Sequence, residues 1–126
     1  MPRRSASVSI DKVSVLKVDK DCFVDRDWID DYIHKVVIPI CGAFGVTVKQ
    51  VDACNSKKKG IHFYISIDPP VEAELANRIQ WLIGDDAQRC DFNRARIGSG
   101  LSEWNKLFEV PNRKLKTIYK LERCMS

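Results

Sequence analysis

The stretch Gly60-Ile61-His62-Phe63-Tyr64-Ile65-Ser66-Ile67-Asp68 constrains the fold more than any other part of the chain. Ile61, Phe63, Ile65 and Ile67 alternate with His62, Tyr64 and Ser66, and a sustained period of two specifies a strand with one apolar and one polar face. The apolar face requires a core on its side. The polar face lines up an imidazole, a phenol and a hydroxyl. Lys57, Lys58 and Lys59 stand at the mouth of the strand, where three cations can hold a phosphate backbone.

The neighbouring segments read as partners for this strand. Val13-Ser14-Val15-Leu16-Lys17-Val18-Asp19 is rich in β-branched residues and forms a first strand running into Asp19-Lys20-Asp21. A helix follows, with Asp25 or Asp27 as N-cap and Trp28, Ile29, Tyr32, Ile33, Val36, Val37 and Ile40 at three-four spacing; Pro39 should kink or end it near Ile38. Val46 to Cys54 forms a second strand, and the short polar link Asn55 to Gly60 makes it an antiparallel hairpin with the organising strand. Asp68-Pro69-Pro70 is expected to stop that strand and start a helix with Asp68 as cap, buried through Val71, Leu75, Ile79, Leu82 and Ile83 and closed by Gly84. The order strand, helix, strand, strand, helix lacks one strand of the split βαβ pattern.

The expected fold is therefore α+β: a ferredoxin-like or RRM-like antiparallel sheet with two helices on one face and a C-terminal extension. At 126 residues the chain is one domain, with a lead-in over 1–10, a βαββα core over 11–86 and a basic extension over 87–126 that completes the sheet. Within the extension, Ala87 to Arg96 reads as a short helix showing Arg89, Asn93 and Arg96 on one face. Trp104 to Val110 and Leu115 to Leu121 are both candidates for the last strand, the second with Leu115, Thr117, Tyr119 and Leu121 on one side.

Charge and cysteine usage narrow the chemistry. Residues 87–126 hold nine Lys and Arg against four Asp and Glu, whereas residues 1–86 hold twelve against thirteen. Such asymmetry points to an anionic partner, although solvated surface charge produces the same count. The five cysteines are odd in number and contain no Cys-x-x-Cys pair, which argues against a disulfide framework and a zinc ribbon. No apolar run approaches membrane-spanning length, and Met-Pro-Arg-Arg-Ser-Ala-Ser lacks the apolar core of a signal peptide, so the expectation is a cytoplasmic protein with no membrane partner.

In a sheet covered by helices on one face, the other face is available to a ligand. Asp19 and Asp21 would end the first strand, and His62 and Tyr64 lie on the third. Carboxylates one residue apart are hard oxygen donors suited to Mg²⁺ or Mn²⁺ and a phosphate-bearing substrate. Tyr64 can stack on a base. Arg89, Arg94 and Arg96 form the densest basic cluster, suited with Lys57, Lys58 and Lys59 to phosphate contacts.

The segments Val15-Leu16-Lys17-Val18-Asp19-Lys20-Asp21 and Gly60-Ile61-His62 are similar to two motifs of archaeo-eukaryotic primases and primase-polymerases: a hydrophobic strand ending in Asp-x-Asp, and a later strand carrying a small residue, any residue and His. The resemblance implies an RRM-like core in which Asp19 and Asp21 bind divalent metal and His62 contacts nucleotide phosphates. A third acidic residue would be Asp85, Asp86 or Asp91, none of which ends a clear strand. The runs 84–94 and 104–108 also resemble segments of small phage and archaeal-element proteins, which implies a mobile-element setting. The function expected is nucleic-acid binding in replication, with DNA or RNA, in single-stranded form, and nucleotides as partners. Whether nucleotidyl transfer accompanies binding is open, and a covered, purely structural sheet is the third alternative. A rolling-circle nuclease would need two histidines flanking one residue on a strand, and His62-Phe63-Tyr64 supplies one.

Overall fold

The computed structural model describes residues 12–20, 25–55, 60–85, 87–100, 104–105 and 115–121. The chain is α+β. Its elements are β1 (Val13–Lys20), α1 (Arg26–Tyr32), a π-helical stretch (Ile33–Val37), α2 (Ile38–Ala43), β2 (Thr47–Asn55), β3 (Ile61–Val71), α3 (Ala73–Leu82), α4 (Ala87–Gly98) and β4 (Lys116–Lys120). The four strands form one antiparallel sheet in the order β1-β3-β2-β4.

α1 begins at Asp25, whose carboxylate accepts from the Trp28 N–H at 2.8 Å and so satisfies one of the donors a helix start leaves unpaired. Pro39 does not end the rod. A proline in a helix lacks the donor and drives its ring against the carbonyl four residues back. Here the turns ahead of it widen instead, with Ile38 N–H reaching Ile33 O five residues earlier, and helical structure resumes as α2 with Pro39 in its first turn. The rod closes at Gly45, where φ is +77° and Val46 N–H bonds Cys41 O while Gly45 N–H bonds Gly42 O.

β3 is longer than expected. The expectation that Asp68-Pro69-Pro70 stops the strand and caps the next helix is overturned: β3 runs to Val71, the Asp68–Pro69 bond is cis, and α3 starts at Ala73 with Glu72 as an N-cap whose side chain makes no bond. The two prolines fall between the Val15↔Ser66 and Val13↔Val71 pairs, where the register with β1 is broken and no ladder bond is lost. The last strand is the second candidate, Lys116–Lys120; residues 106–110 of the other lie outside the described residues. Its faces also differ from expectation. Thr117 opposes Asp52 and Tyr119 opposes Val51, so Ile118 is an extra residue that turns Thr117 and Tyr119 to opposite sides of the sheet.

One face of the sheet carries the core. Leu16 and Val18, Val51 and Ala53, and Phe63 and Ile65 pack with Tyr32, Ile33, Val37 and Cys41 of the first rod and Ala76, Ile79 and Ile83 around α3, joined by Trp104. The Tyr32 and Phe63 rings lie 5.3 Å apart, which fixes the rod against the centre of the sheet. α4 packs on α3. Leu82, expected in the buried stripe of α3, is instead 40% exposed. Cys41, Cys54 and Cys90 are thiols outside any disulfide; Cys22 and Cys124 lie outside the described residues.

α3 ends at Gly84, with φ +100°, Asp85 N–H on Gln80 O and Gly84 N–H on Trp81 O. A Cβ at Gly84 would run into the Lys20 side chain, whose ammonium lies 5.5 Å from the Tyr32 ring and 5.9 Å from that of Trp28. Gly45 has a similar backbone but open space around it. Gly45→Ala should cost about 1 kcal/mol of stability through the left-handed backbone alone. Gly84→Ala should cost about 1 kcal/mol more, because it also displaces Lys20 from the two rings. Urea unfolding of the two variants checks the difference.

Burial pushes the Cys41 thiol up from 9.0 to about 11. Burial, followed by the neighbouring Asp85 and Cys41, pushes the Tyr32 phenol up as well. Both groups are neutral in the fold and ionise earlier in the unfolded chain, so the Cys41 contribution is complete below pH 9 and is lost as pH rises through 9 to 11, while that of Tyr32 is complete below pH 10 and is lost above it. Stability should be level between pH 7 and 8.5 and then fall, with Cys41 accounting for on the order of 1–3 kcal/mol. Urea midpoints across this range should fall less steeply in Cys41→Ala.

Candidate functional site

The second face of the sheet carries the polar residues, and the strand register fixes their neighbours. β1 pairs with β3, so Asp19 stands opposite His62, with Cys54 of β2 on the other side of the imidazole. The next row is Lys17, Tyr64, Asp52 and Thr117 across all four strands, and the row after it is Val15, Ser66, Gln50 and Lys120. Asp19 and His62 thus meet on one sheet face.

Their geometry limits what they can do. His62 Nε2 lies 3.6 Å from Asp19 Oδ1, within ion-pair range and longer than a hydrogen bond. The imidazole is only 4% exposed, and its Nδ1 is buried with no partner among the described residues. One ring nitrogen faces a carboxylate and the other is enclosed. His62 therefore presents no nitrogen at the surface to a phosphate, against the role implied by the primase resemblance. Asp19 retains about a third of its side-chain surface. Asp21, Lys57, Lys58, Lys59 and Asp86 lie outside the described residues. Among the described residues no group of three or more His, Cys, Asp or Glu side chains is placed to hold a metal ion. The described residues alone therefore do not compose the Mg²⁺ or Mn²⁺ site expected from Asp19 and its neighbours.

The outer rows differ in exposure. Tyr64 and Ser66 are half-buried, as are Lys17, Asp52 and Gln50, and Thr117 and Lys120 are exposed. Asp52 is held in place: both its oxygens accept from Gln50 Nε2 at 3.0 Å, and Thr117 Oγ1 donates to Oδ1 at 2.6 Å. These contacts tie β4 to the β2 side of the face.

The expected arginine cluster is not one surface. Arg89, Asn93 and Arg96 do share a helix face, but that face is turned inward: Asn93 is fully buried and Arg89 is 9% exposed. Arg89 bonds both oxygens of Asp85, at 3.2 and 3.0 Å from Nε, and its Nη2 donates to Lys17 O at 2.6 Å and to Asn105 Oδ1 at 3.0 Å. Its expected phosphate contact is thus replaced by a structural role. Arg96 donates to Asn93 Oδ1 and Trp104 O, at 3.2 and 3.3 Å. Arg94 alone of the three is exposed, 3.6 Å from Asp91 Oδ1.

Arg89 belongs to a network on the outer edge of β1. Gln80 Oε1 accepts from Lys17 N–H at 2.9 Å, Asp85 Oδ1 accepts from Asp19 N–H at 3.0 Å, and Arg89 supplies the donor for Lys17 O. Asn105 links Gln80 to Arg89, donating to Gln80 Oε1 at 2.8 Å. Three side chains and a bridging amide thus take the place of a neighbouring strand. Asp85, one of the candidates for a third metal-binding acid, is committed to this edge, and Asp91 pairs on the surface with Arg94. Sequence reasoning missed Gln80 and Asn105 because polar residues within apolar-periodic stretches carry no local mark of the strand they serve.

No protein-family model, curated protein or solved structure matches the chain. Among the described residues no helix is long and apolar enough to cross a membrane.

Removing Arg89 would leave the buried Asp85 carboxylate uncompensated and Lys17 O without its side-chain donor. Arg89→Ala should therefore cost about 3–5 kcal/mol. Arg94→Ala, on the surface of the same helix, should stay within about 0.5 kcal/mol of the parent. Asp85→Leu combined with Arg89→Met should cost less than the sum of the two single changes, as read from urea midpoints.

Proposed function

We propose that this protein is a single-stranded nucleic-acid-binding module that uses the polar face of its sheet and performs no chemistry there. The observation that carries this reading is the row Lys17–Tyr64–Asp52–Thr117: a half-buried phenol at the centre of the face opposite the helices, with a cation in register on the next strand. A flat aromatic at mid-sheet is a platform on which a base can stack whatever its identity, and lysines around it hold the backbone. Lys120 on the same face is an exposed cation available for phosphate, and Lys57, Lys58 and Lys59, between β2 and β3 in the sequence, are assigned the same task. The enclosed imidazole of His62 favours binding over nucleotidyl transfer.

The βαββα order with β3 between β1 and β2 supports a ferredoxin-like or RRM-like reading of the core. The fourth strand sits beyond β2, and the edge beside β1 is closed by side chains. A replication or mobile-element setting rests on the motif resemblance alone.

Anisotropy of a labelled oligothymidylate tests the proposal. Affinity should fall between 50 and 200 mM salt. It should be indifferent to chelator, and Tyr64→Ala should weaken it by about 5- to 100-fold, the equivalent of roughly 1–3 kcal/mol of stacking. No binding by micromolar protein at 50 mM salt would overturn the reading. Nucleotide incorporation that requires Mn²⁺ and is lost in Asp19→Asn would replace it with the transferase.

A further inference from the structure

A cleft of about 470 Å³ lies between α3 and α4, away from the polar face of the sheet. Glu74, Arg78 and Trp81 line it from α3 at spacings of four and three, which places them on one side of that helix. Arg94 and Ile97 line it from α4, three residues apart on theirs. Beneath them Asn77 is 6% exposed and held in place, donating to Cys90 O at 3.1 Å and accepting from Asn93 Nδ2 at 3.2 Å, so part of the floor is a fixed polar surface.

Three features select an occupant. Trp81 is 55% exposed, with Leu82 beside it at 40%, a large apolar surface set among the charges of Glu74 and Arg78. Guanidinium groups stand on both walls, Arg78 from α3 and Arg94 from α4, against one wall carboxylate, Glu74. Among the described residues Arg78 has no ion-pair partner, and Arg94 has only the exposed 3.6 Å contact with Asp91, a pair worth little in water. An amphipathic helix would need a run of apolar contacts at i, i+3, i+4 and i+7, and the cleft offers few beyond Trp81, Leu82 and Ile97. An indole with a cation on each side matches a base and its phosphates better, and the volume is in the range of small-ligand sites.

We infer that this cleft is a second nucleotide-binding site, in which Trp81 stacks on one base of a strand and Arg78 and Arg94 hold the flanking phosphates. Glu74 stands where its carboxylate can accept from an exocyclic amino group. The inference rests on the nucleic-acid reading but on different residues. α3 lies on the helix side of the sheet, so a strand engaging both sites passes around an edge, and two short ligands bind independently.

Titrations with labelled oligothymidylate and oligoadenylate, using Tyr64→Ala, Trp81→Ala and the pair Arg78→Ala/Arg94→Ala, test both surfaces. The substituted side chains of the cleft are exposed, and circular dichroism verifies the fold. Trp81→Ala and the arginine pair should each weaken binding by 5- to 50-fold. Trp81→Phe should retain most of the affinity, and Glu74→Gln should alter the preference between the two oligonucleotides. Binding that responds to Tyr64→Ala but stays within twofold in the cleft variants would overturn this inference and leave the sheet-face reading intact. Loss in the cleft variants alone would support the cleft and overturn the sheet face. Absence of any binding would overturn both. Self-association in sedimentation equilibrium that Trp81→Ala abolishes would assign the patch to a second copy of the chain, again overturning the inference.

Discussion

The structure depends on how the outer edge of β1 is satisfied. A strand packed under helices still has a row of N–H and C=O groups pointing along the sheet, and each one left unpaired in a buried place costs about 1–3 kcal/mol. In this protein Gln80, Asp85 and Arg89 take up Lys17 N–H, Asp19 N–H and Lys17 O. Two of those side chains, Asp85 and Arg89, lie 2.9 Å apart as an ion pair, and that pairing is what makes their burial tolerable. The arrangement closes the edge that would otherwise accept another strand, and β4 is found at the opposite edge, on β2.

That choice divides the molecule functionally. Because the β1 edge is held by α3 and α4, their inner faces are polar where they meet the strand and the arginine-rich face of α4 is spent on structure. On α3 and α4 the exposed arginines are then Arg78 and Arg94. β4 extends the polar face by a fourth column through the Thr117–Asp52 contact, and the bulge at Ile118 keeps Tyr119 on the other side, against His34. One extra residue thus lets a single short strand serve both faces.

The first helical rod shows the same economy. Trp28, Tyr32 and Phe63 form a continuous aromatic contact from the helix start to the middle of the sheet, and Lys20 at the end of β1 lies over the first two rings. The π-helical stretch ahead of Pro39 keeps Ile33, Val37 and Cys41 directed into the core on both sides of the proline. A kink at that point would have withdrawn one half of the rod from the sheet.

The alternation in β3, the three-four spacing in the rod and α3, an aspartate cap at Asp25 or Asp27, and Gly84 at a helix end were legible because each is a local pattern with a local cause. From them followed an α+β chain with a polar row on β3, and the pairing of β1 with β3 that sets Asp19 opposite His62 came with the sheet. Distance along the chain hid the rest. Gln80 serves Lys17 across 63 residues and Arg89 serves it across 72, and nothing at position 80 or 89 announces that partner. The sequence by itself determined where β1, β2 and the body of β3 lie and which face of β3 is apolar, since hydrophobic periodicity acts over a few residues. Only the tertiary structure decided that His62 is enclosed, that Arg89 is structural and that the last strand joins β2. Those outcomes depend on which backbone groups are left unpaired once the sheet and helices have packed.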